Sequence, residues 1–448
     1  MMGVSVTKAL DAQPGSLPRR FEGTDQPWWW EWAPRDKRPP GALPKSADAV
    51  VVGSGYAGLS AALTLARAGR EVIVLDAGFP GHGASSRSGG MIGSGHVVPF
   101  ERLSRLYGDQ QASAILREGL NSFAFTKNLI ESESIECHFR QVGRLRAAWR
   151  PQDFDMIRRD VDLVTKLLDY DVTVLGKAEL AEELGTDRYA GACVYNRHGG
   201  LHPAMFHSGL LDVVVEAGAR VFGDSKVVAI DDARHRKIVR TERGQVATSN
   251  VIVATNGYTF PELRPFAQRL IRVHAYMIAT EVIGQERTRQ IIRRDRMVVE
   301  TRWRHCYYRR SPDGERILFG ARVSLGAVSL DRAAKVIRKL MAELYPELKD
   351  VGVTHCWTGQ LGFARDFLPH IGEINGVHHA LACNGSGVAM QPYTGHKAAL
   401  KVLGSPEGKT AFDSQEFRPI HPFYGGRPWF RPFLSAYYRM KDFKEGSS

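Results

Sequence analysis

The residues of this chain most able to hold a reactive ligand are glycines, because they let backbone close on it. Gly53-Ser54-Gly55-Tyr56-Ala57-Gly58 is a GxGxxG set between a β-branched run, 47–52, and a helical pattern at Leu59, Ala62, Leu63 and Ala66, which Gly69 stops. The first glycine permits a tight turn, the second lets backbone approach a pyrophosphate, and the third lets helix and strand pack closely. A diphosphate then rests on the positive helix end, where unbonded N–H groups point. Asp76 closes the next apolar run, 71–76, eighteen residues past Gly58, where an acid accepts hydrogen bonds from an adenosine ribose. Strand, glycines, helix, strand and acid together predict a dinucleotide site, though this motif does not separate NAD from FAD.

Ala77 leads into a loop of small residues with one cation: Gly83, Ala84, Ser85, Ser86, Arg87, Ser88, Gly89, Gly90 and Met91. Such a loop suits a backbone nest around phosphates and a flat ring, with Arg87 supplying positive charge. A third cluster, Asn384-Gly385-Ser386-Gly387, precedes a helix running to about 402, with Val388 and Ala389 in its first turn.

Around these sites, 109–133 and 152–169 read as amphipathic helices and 138–149 as strand-like. Residues 206–217 look helical, 227–230 and 238–241 look like paired strands, and 250–254 is another buried strand. From about 268 to 350 the pattern is β-ribbon with one helix at 331–344, and 378–383 is the last strand. Residues 1–46 form an extension with Trp28, Trp29, Trp30 and Trp32, which pack back on the protein in preference to anchoring in a membrane.

Composition, 43% hydrophobic and 24% charged over 448 residues, is that of a soluble protein of two domains. The charge of +12 is scattered, without zinc-finger spacing or a basic run, so nucleic acid is not expected; an anionic cofactor and substrate use part of it. Five well-separated cysteines exclude a disulfide framework or close-spaced metal site, and no metal is expected. Residues 1–20 lack an apolar core, and the uncharged stretch 49–66 is interrupted by glycines; a cytoplasmic protein without a membrane span is expected.

At these residues the chain resembles the FAD-dependent oxidoreductases of the D-amino acid oxidase superfamily, which includes glycine, sarcosine and γ-glutamylputrescine oxidases. It looks most like the last group, with an aromatic lead-in and a GAS-x-R-x-GG loop from Gly83 to Gly90. Ala254-Thr255-Asn256-Gly257-Tyr258, the 275–281 strand, Tyr307-Tyr308-Arg309-Arg310 with Asp313-Gly314, Trp357-Thr358-Gly359, the 366–372 segment and Asn384 to Ala389 continue the likeness over roughly 45–405. It implies an α/β fold: a doubly wound Rossmann-type FAD-binding domain (47–135, 198–266, 351–405) interleaved with a mixed or antiparallel substrate sheet (136–197, 267–350). The tail 406–448 is expected to pack on the body.

The resemblance adds Val227, Val228, Thr255, Asn256, Gly257, Trp357, Gly359, Gly385, Ser386, Gly387, Val388 and Ala389 to the cofactor set. The helix opening at Gly387 would stabilise negative charge on the reduced flavin. Asp76 departs from the Glu common in FAD members, and Arg87 occupies the place of a tethering His, so FAD is expected to be noncovalent, with Cys356 as a lesser tether candidate. His82, His96, His198 and His202 could reach the cofactor.

The expected substrate is a small amine with an anionic group, oxidised to an imine with electrons passed to oxygen. A quinone-linked dehydrogenase of an amine or hydroxy acid, and a flavin subunit of a larger oxidase, are the alternatives. His274, Tyr276, Trp303, His305, Tyr307, Arg309 and Arg310 are the pocket candidates, with either arginine able to clamp an anion. No catalytic base is assigned.

Overall fold

A computed structural model describes residues 23–33, 41–95, 98–324 and 326–426. From the first glycine motif the chain runs β1 (Ser46–Val52), α1 (Tyr56–Arg67), β2 (Val72–Leu75), β3 (Met91–Ile92), α2 (Phe100–Tyr107) and α3 (Asp109–Ser132). It continues as β4 (Arg144–Ala148), α4 (Pro151–Leu167), β5 (Val172–Leu175), β6 (Gly191–Tyr195), β7 (Gly199–Gly200) and α5 (Pro203–Glu216). Next come β8 (Arg220–Phe222), β9 (Val227–Ala233), β10 (Arg236–Thr241), β11 (Gly244–Val253), β12 (Ile271–Thr280) and α6 (Gln285–Ile291). Then follow β13 (Met297–Glu300), β14 (Tyr307–Arg310), β15 (Ile317–Ala321), α7 (Leu330–Leu344), β16 (Val353–Phe363), β17 (His370–Ile374), β18 (Val377–Leu381) and α8 (Gly387–Val402).

Two large sheets organise these elements. The first has the order β17-β18-β11-β1-β2-β8, with β9 and β10 added antiparallel beyond β11. Its central pairs, β11 with β1 and β1 with β2, are parallel, as βα crossovers require. The apolar runs of β1 and β2 are buried on both faces, between α1, α5 and α8 on one side and the Phe266 and Leu263 cluster on the other. The second sheet has the order β16-β12-β15-β14-β13-β4-β6-β5. Helix α7 covers its outer face through Ile337, Met341 and Leu344, which meet Tyr276, Ile278, Tyr308 and Phe319. Its inner face looks toward the first sheet.

The expected domain boundary at 351 is corrected. β16 pairs along its length with β12, from Ile271 opposite Phe363 to Thr280 opposite Val353, so it belongs to the substrate sheet, and the return to the first sheet begins after Phe363. A glycine-broken segment carries no mark of which ladder it joins. The short helices α2 and α6, and the strands β5 and β6, also went beyond the pattern read from the sequence.

The tryptophan segment lies between the two sheets. Trp28 and Trp29 are buried with Met277, Ala279, Leu318 and Trp357 of the inner face and Ala204 of α5. Thr24 bridges to His355, and Glu31 pairs with His355 Nε2 at 3.0 Å, tying this segment to β16. Part of the tail is equally docked: Phe412 and Phe417 are buried, and Tyr424 donates its hydroxyl to the Leu270 carbonyl at 2.9 Å. Residues 427–448 and most of 1–46 lie outside the described residues.

Candidate active site

The glycine clusters converge on one groove along the first sheet. Its lining includes Gly53, Gly55, Tyr56 and Ala57 from the β1–α1 turn, Asp76 and Ala77 after β2, and Gly83, Ala84, Ser85 and Ser88 from the following loop. Val227, Thr255 and Asn256 close one side, and Gly385, Gly387 and Val388 at the start of α8 close the other. Ser54, Gly58, Ser86, Arg87, Gly89, Gly90, Met91, Val228, Gly257, Trp357, Gly359, Ser386 and Ala389 are not part of that lining.

Several of these outer positions support the wall. A Cβ at Gly58 would stand 1.8 Å from the Gly53 carbonyl oxygen, so this glycine sets the closeness of turn and helix. Gly257 is confined in the same way: a Cβ there would stand 2.5 Å from the Gln360 carbonyl oxygen. Gly53 itself has φ +103°, in the left-handed region that glycine favours.

Asp76 presents its carboxylate beside the turn. Oδ2 accepts from Ser54 N (2.7 Å) and Ser54 Oγ (2.6 Å), and Oδ1 accepts from Gly78 N (3.1 Å). Burial raises its pKa, and those three donors oppose the rise. At the opposite end α8 begins without a side-chain cap, leaving its first-turn N–H groups to the groove. Tyr56 N, the first of α1, is bonded to Ser85 Oγ at 3.0 Å, which joins the loop to the turn.

Arg87 is corrected from its expected role. Its Nε donates to the His82 carbonyl at 2.7 Å and Nη1 to the Thr358 carbonyl at 3.2 Å, while its guanidinium lies 4.6 Å from the Trp30 ring centroid. The side chain is buried and staples the loop to β16, away from the groove. Trp30 Nε1 donates to Ser86 Oγ and Trp357 Nε1 to the Arg87 carbonyl, both near 2.9 Å, so two indoles hold the same loop.

The loop then passes under the inner face of the substrate sheet. A Cβ on Gly89 would meet the Tyr307 ring at 3.3 Å, with Met277 just beyond. Tyr307 in turn lies across Gly320, where a Cβ would stand 2.2 Å from its ring. Alternation along β12 puts Met277 on this inner face and Tyr276 on the outer one, buried against α7 with its hydroxyl bonded to Val328 N at 2.8 Å. Tyr276 and His274, which stacks on it at 6.2 Å, are therefore removed from the pocket wall.

The arginine pair is settled by the same alternation. Arg310 points away and pairs with Asp295 at 3.1 Å. Arg309 faces inward, but its Nη1 donates to the Leu201 carbonyl (2.8 Å), the Gly90 carbonyl (3.2 Å) and the Gly89 carbonyl (3.4 Å), under the face of Trp29. Burial lowers its pKa to about 10, and it remains charged at neutral pH. Both guanidinium groups are engaged by protein, so neither is the anion clamp expected of them. Trp303 and His305 follow β13, and His305 keeps open surface. The crowding of protein around it, then Arg322, Arg146 and Arg144, lower its pKa, leaving the imidazole neutral at pH 7.

Sequence reasoning missed part of the lining: Lys226, Tyr258, Phe260, Glu262, Leu263, Gln360, Leu361, Cys383 and Gln391. Gln391 stands four residues after Gly387, so helical spacing could have found it. His82, read as a residue that could reach the cofactor, does line the groove; His198 and His202 do not, and His96 lies outside the described residues.

Residues 48–400 match the family described as FAD dependent oxidoreductase. The chain belongs to that family. It is 29% identical over 402 residues to γ-glutamylputrescine oxidoreductase of Escherichia coli, covering 89% of this chain and 93% of that protein. Glycine oxidase of Geobacillus kaustophilus is 24% identical over 388 residues, covering 83% and 96%. Its crystal structure superposes with a TM-score of 0.68 at 22% identity over 85% of this chain and 99% of that one. The L-proline dehydrogenase of P. horikoshii follows at 0.67 and 20% identity, over 84% and 98%. The two solved structures share the overall fold of this chain.

This family of oxidoreductases is FAD dependent, and the groove suits that cofactor. Two buried side-chain nitrogens in its lining, His82 Nε2 and Gln391 Nε2, have no hydrogen-bond partner among the described residues. Burial and then Arg87 lower the His82 pKa to about 4, so this ring meets a ligand neutral. Gly385, at φ +96°, turns the chain into the α8 N-terminus. Among the described residues no helix is long and apolar enough to cross a membrane, and no group of three or more His, Cys, Asp or Glu could hold a metal ion.

Proposed function

We propose that the protein oxidises a small primary or secondary amine carrying an anionic group to an imine, which water converts to an aldehyde or keto acid. FAD bound in the groove would supply the hydride acceptor for the carbon that bears the nitrogen and the two-electron route to oxygen that yields hydrogen peroxide. The observation that carries this reading is the course of loop 83–91. Its first half lines the dinucleotide groove, and its Gly89 lies against Tyr307 on the inner sheet face. A ring held by the loop would therefore lie near the apolar and aromatic residues Met277, Tyr307 and Trp357 of the inner sheet face, which pack with Trp28 and Trp29 and keep that side of the loop dry. The relatives named for γ-glutamylputrescine and glycine support an amine as the group oxidised.

In this reading the residues of the chain divide the work. Asp76 accepts from the adenosine ribose, the α1 and α8 N-termini meet the diphosphate and the ring, and Gln391 and His82 bond to the cofactor. Cys356 packs outward, its Sγ 3.5 Å from the Leu330 carbonyl, while Gly359 faces Ala84 and Arg87, which supports a noncovalent flavin. The test is an oxygen-electrode and peroxide assay over amino acids, N-methyl amino acids, polyamine derivatives and aminophosphonates. Turnover of an amine with equimolar peroxide is expected. Dye reduction without peroxide would move the electrons to another carrier, and a flavin reduced by no amine would end the proposal.

A further inference from the structure

In the proposed reading Asp76 takes the adenosine ribose and the β1–α1 turn the diphosphate, so the flavin ring falls to the end of the groove where α8 opens. Reduction of a flavin leaves negative charge on its pyrimidine edge, and this end offers little cationic charge to meet it. Among the described residues that line the groove, the charged side chains are Asp76, Lys226 and Glu262, and Lys226 is paired with Glu262 at 2.8 Å. Arg87 is withdrawn to the Thr358 carbonyl and the Trp30 ring. Stabilisation of that charge is therefore left to neutral dipoles aimed at it, beginning with the uncapped first turn of α8.

Gln391 adds a second dipole at the same place. It stands one turn into α8, on the face shared with Gly387 and Gly395. Gly395 is pressed on α1, where a Cβ would stand 2.0 Å from the Ala57 carbonyl oxygen, so this face looks toward the β1–α1 turn. The Gln391 side chain runs back toward the helix opening, its Cγ 3.6 Å from where a Cβ on Gly387 would stand. Thr126 Oγ1 holds the Ala389 carbonyl at 2.8 Å and fixes this turn on α3. Gln391 is only 6% exposed, and its Nε2 has no hydrogen-bond partner among the described residues. A buried N–H in that state is costly until an acceptor reaches it, and the groove is where one can arrive. We propose that Gln391 donates from Nε2 to the pyrimidine edge of bound FAD and holds the reduced flavin more tightly than the oxidised one, so that it sets the flavin potential. An interaction equal in both states would change affinity and leave the potential alone. The inference rests on the flavin part of the proposed function and uses none of its substrate.

The experiment reduces FAD-loaded protein with xanthine and xanthine oxidase beside a reference dye, which gives the two-electron midpoint potential without any amine. Affinity for oxidised FAD is read separately, by fluorescence quenching on titration into apoprotein. In Gln391→Met the preference for reduced over oxidised FAD should fall roughly 10- to 100-fold, the range for losing a hydrogen bond to a charged group. At about 30 mV per tenfold for two electrons, the midpoint drops by about 30–60 mV. Gln391→Lys, similar to Met in length and shape but a charged donor, should bring the midpoint back to the wild-type value or above it. A role in packing alone would not separate Met from Lys. FAD content and thermal unfolding report whether each variant is folded, and Gln391→Leu stands in if the Met variant does not hold FAD. A midpoint unchanged in the folded Met or Leu variant overturns the proposal, as does a loss of FAD affinity with the potential unmoved. A Lys variant whose midpoint is no higher than that of Met overturns it too. None of these results bears on amine oxidation, and a flavin that no amine reduces leaves this test intact.

Discussion

Gly58→Ala tests whether the β1–α1 turn, through a residue that does not itself line the groove, sets FAD affinity. A Cβ here would stand 1.8 Å from the Gly53 carbonyl oxygen and 2.9 Å from its carbon, with Val51 Cγ1 at 3.3 Å. Ordinary contact begins near 3.4 Å, so the helix start and the turn must part by about 1.5 Å, and the obstacle is backbone that cannot rotate aside. Overpacking of this kind costs about 1–3 kcal/mol. Moving the α1 N-terminus off the diphosphate then removes about two charge-assisted hydrogen bonds, each of about 1.5–3 kcal/mol, from binding. FAD affinity should fall at least 100-fold, read by quenching of flavin fluorescence on titration into apoprotein, and the apoprotein should melt several degrees lower. Gly69→Ala is the control: Gly69 has φ +76° but no neighbour within 4 Å, so it carries backbone strain of about 1–2 kcal/mol without displacing the turn. If Gly58→Ala binds FAD as the wild type does, or if Gly69→Ala weakens FAD equally, the steric argument is wrong.

Trp29→Ala opens a cavity between the two sheets and uncovers Arg309, so a loss of about 3–5 kcal/mol is expected in urea unfolding monitored by fluorescence. Cys356→Ser should leave flavin content and acid-released free FAD as in the wild type, because the thiol faces α7; a covalent flavin peptide in the wild type would refute this. His82, His202 and His379 are buried with pKa values lowered to about 4, 3 and 3, so the unfolded chain binds protons that the folded protein does not. Stability should therefore be whole above pH 6.5 and fall as pH drops toward 4, by up to about 1.4 kcal/mol per pH unit for each histidine. Urea midpoints at pH 7 and pH 5 check the sign, and a midpoint that rises at pH 5 contradicts it.

Much of the dinucleotide site was legible in one dimension because its determinants are local. A GxGxxG turn, an acid one strand later and a glycine-led helix each occupy a few consecutive residues, and apolar periodicity sets the strands and helices that carry them. The substrate side was less legible. Period-two alternation shows that Tyr276 and Met277, or Arg309 and Arg310, face opposite ways, but not which way is inward; burial against α7 decides that. Arg87 reads as a free cation by type, and only β16 and Trp30, brought from 271 and 57 residues away, supply the carbonyl and ring that engage it. The partners of Arg309 belong to the same class, since its three carbonyls come from segments over a hundred residues upstream.

What the chain alone determined is therefore where backbone can approach a phosphate, a property of φ and of missing side chains at named glycines. What only the tertiary structure decided is which charges are already neutralised at home and which are left for a ligand. Electrostatic compensation acts between strands paired across long stretches of sequence, and so Arg309, a clamp candidate by its type, is withdrawn from the pocket.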